Sequence, residues 1–161
     1  MSAGQGTACQ GTAEQGTGSL RIVVGVDGSP SSNAALAWAV RQAERTGSTI
    51  EAVTAWHYPV VLGTPFGPAN VLPGTDFAEV AARVLSQAVG ETVDPAGPVK
   101  VSSMVREGNA AQVLLDAAQG ADLLVVGSRG HGGFTEALLG SVSQHCVHHA
   151  QCPIVIVRAD H

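Results

Sequence analysis

Residues 122–143 read DLLVVGSRGHGGFTEALLGSVS. An unbroken apolar run meets a glycine-rich loop at Gly127, and the loop leads to a segment that opens with Gly140 and Ser141. A short continuous apolar run reads as a strand buried on both faces. Its passage through glycines into a helix makes the loop a candidate anion cradle, because backbone N–H groups converge on a phosphate where no Cβ intervenes. The lysine that most phosphate loops carry is missing, since Lys100 is the only lysine in the chain.

The same alternation of strand and helix extends outward from this junction. RIVVGV, 21–26, is rich in β-branched residues and is followed by DGSP, where Ser29 can cap a helix whose first residue is Pro30. That helix is predicted to run to Thr46 and stop before Gly47. TIEAVTAW, 49–56, is predicted as a strand. The segment 57–75 holds four prolines and three glycines, so regular structure is not expected there. Phe77, Val80, Ala81, Val84, Leu85, Ala88 and Val89 then recur at helical spacing. VKVSSMV, 99–105, is predicted as a strand. The next helix is capped by Asn109, with Ala110, Val113, Leu114 and Ala117 on one face. LLVVG, a helix ending near Ala150, and PIVIV, 153–157, complete the order β-α-β-α-β-α-β-α-β. Right-handed crossovers turn that order into an open parallel sheet with helices on both faces. Ligands bind such sheets beyond the carboxyl ends of the strands, where the strand order reverses.

Composition narrows the function classes. The chain has 161 residues, enough for one domain, and 45% of them are hydrophobic. A net charge of -5 with scattered arginines argues against nucleic acid or an anionic membrane as partner. Cys9, Cys146 and Cys152 form no regular disulfide framework, which favours a reducing compartment. No apolar run approaches the roughly 18 residues of a membrane span, and no charged n-region precedes Arg21. A cytoplasmic location is expected. Residues 1–19 carry QGTAC, QGTAE and QGTGS in succession and bury nothing, so a disordered tail is expected before a domain over 20–161.

Two familiar nucleotide motifs are absent. A Walker loop needs a lysine after its second glycine, and the dinucleotide fingerprint needs G-x-G-x-x-G where this chain has GVDGSP. The spacing that does occur is G-x2-G-x9-G-S, formed by Gly127, Gly130, Gly140 and Ser141. In this spacing, and in the blocks IVVGVDGSPSSNAALAWA, VREGNAAQVLLDAA, ADLLVVGSRGHGG and LLGSVSQHCVHHAQCPIVIVR, the chain resembles the universal stress protein family in its ATP-binding branch. The resemblance spans Arg21 to Arg158.

The resemblance implies a Rossmann-like fold of the adenine nucleotide alpha hydrolase type, a five-stranded parallel sheet in the order 3-2-1-4-5. It also implies ATP as ligand, with Mg2+. By position, Asp27 would contact the nucleoside beside Val26, the main chain near Ala55 would meet the adenine edge, and Val126 would pack on the base. Gly127, Arg129, Gly130, Gly140, Ser141, Val142 and Ser143 would surround phosphates and ribose, the serine hydroxyls acting as extra donors. Family members pair through their last strand, so a homodimer through Pro153–Val157 is expected.

Turnover needs a positioned base and a cation for the charge that develops on the phosphoryl group. With Asp27 and Arg129 as the candidates and no loop lysine, at most slow ATP hydrolysis is expected. The contrasting reading is a dimeric scaffold that holds no nucleotide. A receiver domain would need an acidic phosphoacceptor at the end of strand three and a later lysine; strand three ends MVREG, and no lysine follows it. HCVHHAQC, 145–152, has metal-ligand residue types, but with no second cluster to complete a tetrahedral set no metal is expected. HGGF, 131–134, lacks the accompanying nucleophile elbow of an esterase.

Overall fold

The computed structural model describes residues 18–58, 76–131 and 139–159. Most of the amino-terminal repeat, most of the proline-rich segment, and Gly132 and Gly133 lie outside them. Five strands, β1 (Arg21–Gly25), β2 (Thr49–Trp56), β3 (Val101–Glu107), β4 (Leu123–Gly127) and β5 (Ile154–Val157), alternate with four helices, α1 (Pro30–Thr46), α2 (Phe77–Thr92), α3 (Ala110–Ala117) and α4 (Ser141–His149). The strands form one parallel sheet in the order β3-β2-β1-β4-β5, the order implied by the family resemblance.

Strand alternation sorts the core into two layers. Ile22, Val24, Ile50, Ala52 and Val125 face α1 and α2, where Leu36, Ala39 and Leu85 are almost wholly buried. Val23, Val53, Leu124 and Val126 face α3 and α4, against Leu114, Ala117 and Cys146. Alanine on both α1 and α3 lets each helix lie close on the strands. The cores on the two faces need apolar residues at consecutive positions, which is why these strands read as unbroken runs.

The predicted caps form. Ser29 Oγ accepts from the Ser32 N–H at 3.3 Å, and Asn109 caps α3; α2 has a cap that was not anticipated, Asp76. Gly47 closes α1 in the left-handed region at φ 69°, with its N–H on the Ala43 carbonyl at 2.8 Å.

Four local expectations change. β1 ends at Gly25 rather than Val26. β3 runs two residues later than predicted, because its register is set by β2, from Ile50 opposite Val101 to Trp56 opposite Glu107. Its polar end, Arg106 and Glu107, is tolerated because β3 is an edge strand. β5 begins after Pro153, which has no N–H but whose carbonyl accepts from Leu124 at 3.0 Å. Val80, placed on the buried stripe of α2 by spacing, is 49% exposed, while Ala81, Leu85 and Ala88 carry the burial.

Candidate functional site

β1 hands the chain to β2 on one side, whereas its other neighbour, β4, hands it to β5 on the opposite side. The loops after β1 and β4 therefore diverge and leave a crevice at the carboxyl edge of the sheet. A cleft of about 240 Å³ opens there. All eleven residues singled out from the sequence line it: Val26 and Asp27 after β1, Ala55 in β2, Val126 to Gly130 around the end of β4 (without Ser128), and Gly140 to Ser143 at the start of α4.

Asp27 is held by its own loop. Oδ1 accepts from the Ser29 N–H at 2.9 Å, and the Asp27 N–H donates to Ser32 Oγ at 3.3 Å. Oδ2 accepts nothing among the described residues and lies against Gly130, where a Cβ would stand only 2.7 Å away. The Arg129 carbonyl accepts from the Ser31 hydroxyl and, at 3.3 Å, from Ser29 Oγ. The first turn of α1 thus clamps the loop after β4, and two segments about a hundred residues apart become one wall.

The glycines of the cleft act by close approach, not by positive φ. Among the described residues positive φ occurs at Gly28, Gly47, Gly108 and Gly120, and not at Gly127, Gly130 or Gly140. Gly127 is required by close approach: a Cβ there would meet Ser31 C at 2.7 Å and Ser32 N at 2.8 Å, both main-chain atoms. Gly130 leaves room for the Asp27 carboxylate. Gly28 combines φ 80° with a Val84 methyl 2.9 Å from its missing Cβ, which brings α2 against the Asp27 loop.

The hydroxyl of Ser143 also departs from expectation. It donates to the Gly127 carbonyl at 2.6 Å and is buried, so it ties α4 to β4 instead of offering its proton to a ligand. Ser141, by contrast, is exposed. Gly140, the residue before α4, makes no side-chain cap, and its N–H goes to the Ser128 carbonyl at 2.7 Å. The N–H groups of the first turn of α4 are left for whatever enters the cleft, at the positive end of the helix dipole.

The opposite wall is apolar. Val26 and Val126, each 3% exposed, and Leu114 of α3 form a slot. The last main-chain bond between β1 and β2 among the described residues joins the Val26 N–H to the Val53 carbonyl at 2.9 Å. Ladder alternation turns the next odd residue of β2, Ala55, toward the same side, past the end of β1. Its main-chain donor and acceptor therefore face the crevice edge.

Sequence reasoning missed Gly25, Ser32, Val53, Ala110, Leu114 and His131, which also line the cleft. The apolar ones carry no local signal, because their neighbours across the cleft are distant in sequence. His131 could have been found, since it directly follows Gly130. Its Nε2 lies 2.7 Å from the Asp27 carbonyl. A carbonyl only accepts, so Nε2 carries the proton.

The HCVHHAQC cluster does not converge. The His145 and His149 rings lie 4.3 Å apart on the exposed side of α4, while Cys146 is fully buried on the other. Burial pushes the Cys146 thiol up to about 11 and raises Cys152 as well, disfavouring the thiolates that metals bind. Among the described residues no three His, Cys, Asp or Glu side chains are grouped to hold a metal ion, and no helix is long and apolar enough to cross a membrane.

With the geometry in place, likeness to known proteins becomes informative. The sequence model of the Universal stress protein family matches residues 19–158. A universal stress protein of Mycolicibacterium smegmatis is 37% identical over 148 residues, covering 86% of this chain and 48% of the relative. The chain thus spans about half the length of the curated relatives it matches. A universal stress protein solved in complex with cAMP superposes with a TM-score of 0.59 at 24% identity, over 88% of this chain and 98% of that one. An Arabidopsis thaliana family protein with AMP bound gives 0.56 at 19%, over 88% and 92%. At these identities the two structures establish a common fold.

Proposed function

The chain belongs to the universal stress protein family, and on that premise we propose that its cleft holds an adenine nucleotide, ATP with Mg2+, as a regulatory ligand rather than as fuel. One observation carries the reading: the apolar slot of Val26, Val126 and Leu114 opens directly onto a polar end made by Asp27, the Arg129–Gly130 loop and the uncapped start of α4. A nucleotide has that same division, a flat apolar base joined to an anionic tail. Two solved relatives of this fold carry AMP and cAMP in their own structures, which supports an adenine ligand.

In this reading Val126 packs on the base and the Ala55 main chain meets the adenine edge. Asp27 orients the ribose, and a carboxylate can accept two hydroxyl donors with the specificity of a charged acceptor. Gly127, Arg129, Gly130, Gly140, Ser141, Val142 and Ser143 surround the ribose and phosphates, with Gly127 and Ser143 acting as positioning residues through their mutual bond. Asp27 Oδ2, free of hydrogen bonds among the described residues, is the oxygen the cleft offers to nucleotide-bound Mg2+. Magnesium would screen the phosphate charge from that carboxylate.

Hydrolysis is expected to be slow at most. No lysine lines the cleft, and His131 has one ring nitrogen engaged with Asp27. The protein acts as a dimer through β5, soluble in the cytoplasm, and nucleotide occupancy orders the two loops that a partner would read.

Calorimetric titration with ATP, AMP and cAMP, with and without magnesium, tests the assignment. Submillimolar ATP binding that weakens at least roughly tenfold in Asp27→Ala is expected. Equal affinity in that variant would remove Asp27 from the site, and no binding of any of the three would leave the protein a scaffold of the same fold.

A further inference from the structure

A second cavity lies behind the Arg129–Gly130 wall. It measures about 300 Å³ and opens between the first turn of α1 and the residues that follow β5. Ser31 contributes from α1, Ser128 and Arg129 from the loop after β4, and Arg158 from the chain past β5. It shares Arg129 and Gly130 with the cleft, but none of the residues that form the apolar slot.

Its chemistry is one-sided. Among the described residues no carboxylate lines it, although the chain as a whole is acidic. Arg129 and Arg158 form no ion pair among the described residues, where the ion pairs are those of Arg21 with Glu51 and Arg83 with Glu79. Ser128 is 4% exposed, and its hydroxyl has no hydrogen-bond partner among the described residues. A hydroxyl that lines a cavity can donate to a bound oxygen or to water. The Ser31 N–H, in the first turn of α1, has no intrahelical acceptor either, and the helix dipole adds to the positive field.

We propose that this cavity is a second anion site, which takes the phosphate monoester end of a small phosphorylated molecule. Two guanidinium forks match phosphate oxygens better than point charges do. The volume exceeds that of the cleft, so the site accommodates an organic body as well as the phosphate. The site stands whatever fills the cleft. Because Arg129 lines both spaces, its occupant also sets how much of that side chain remains for the cleft.

Inorganic phosphate and ribose 5-phosphate are the probes, titrated against the full chain while the Arg158 Nε–H and the Ser31 and Ser141 N–H signals are followed by NMR. Saturable shifts at Arg158 and Ser31 are expected, tighter for ribose 5-phosphate. They should persist when AMP saturates the cleft. Arg158→Gln, at an exposed position after the last strand, should weaken phosphate roughly tenfold while AMP affinity stays within about twofold. Shifts confined to Ser141, equal phosphate affinity in Arg158→Gln, or no saturable shift at all would each overturn the site. Failure of AMP to bind while phosphate still shifts Arg158 would overturn the nucleotide reading alone.

Discussion

The Asp27 carboxylate rests against the Cα of Gly130, so that a Cβ on residue 130 would stand 2.7 Å from Oδ2. This contact joins the loop after β1 to the loop after β4 at the mouth of the cleft. Gly130→Ala must push the carboxylate aside. Asp27 is exposed, and moving its carboxylate gives up the Ser29 N–H bond to Oδ1, so the cost to stability should be about 1 kcal/mol. Nucleotide affinity is expected to fall at least roughly tenfold, since the displaced group is the one proposed to hold the ribose. Parallel calorimetry and thermal melts check it, and a variant with unchanged ATP affinity would show that Asp27 does not hold the ligand.

Gly127→Ala should behave in the opposite way. Its Cβ meets main-chain atoms of Ser31 and Ser32, which cannot rotate out of the way. The first turn of α1 must shift, at a cost of about 1–3 kcal/mol for overpacking. A melting temperature several degrees lower is expected, with the affinity loss following from the moved Arg129 loop. A melting temperature equal to wild type would contradict the close approach.

Cys146 gives a pH signature. Burial raises its thiol from 9.0 to about 11 in the folded protein, so the neutral form is favoured by folding. A raised folded value means that this contribution is complete below pH 9 and is lost as pH climbs toward 11. Denaturant unfolding of wild type and Cys146→Ala should therefore show a stability advantage of the wild type that shrinks across that window. A constant difference would mean that the thiol is not desolvated. Native Cys146 should also resist thiol reagents until the protein unfolds.

The edge of β5 makes the proposed dimer testable. Its odd residues turn their main chains toward β4, as the Ser128 N–H on the Val157 carbonyl shows, so Ile154 and Ile156 turn theirs outward. Ile156→Pro removes one outward N–H and leaves the bonds to β4 intact. Sedimentation velocity should show a shift from dimer to monomer with far-UV circular dichroism preserved. A dimer of unchanged stability would move the interface away from this edge.

Much of the fold was legible because it rests on local signals. Ser29 and Pro30 start α1 and Gly47 ends it by caps that act within a few residues. The runs at 22–24 and 123–126 declare strands buried on both faces, since packing on both sides leaves no position for a polar side chain. β3 was misplaced by two residues because its limits belong to its pairing with β2, and pairing is not local. Val80 was assigned to the core because spacing reports a helix face but not how far the neighbouring sheet extends over it.

The sequence by itself therefore determined the order of elements, the parallel sheet, and the candidacy of Asp27, Gly130 and the start of α4, through periodicity, capping and motif spacing. Tertiary structure alone decided what those residues touch. It made Gly127 a point of helix contact, sent the Ser143 proton to a carbonyl, brought His131 onto the Asp27 main chain and set Arg158 beside Arg129. Each of these depends on two segments meeting in space, and the free energy of such a meeting belongs to the pair and is written in neither segment alone.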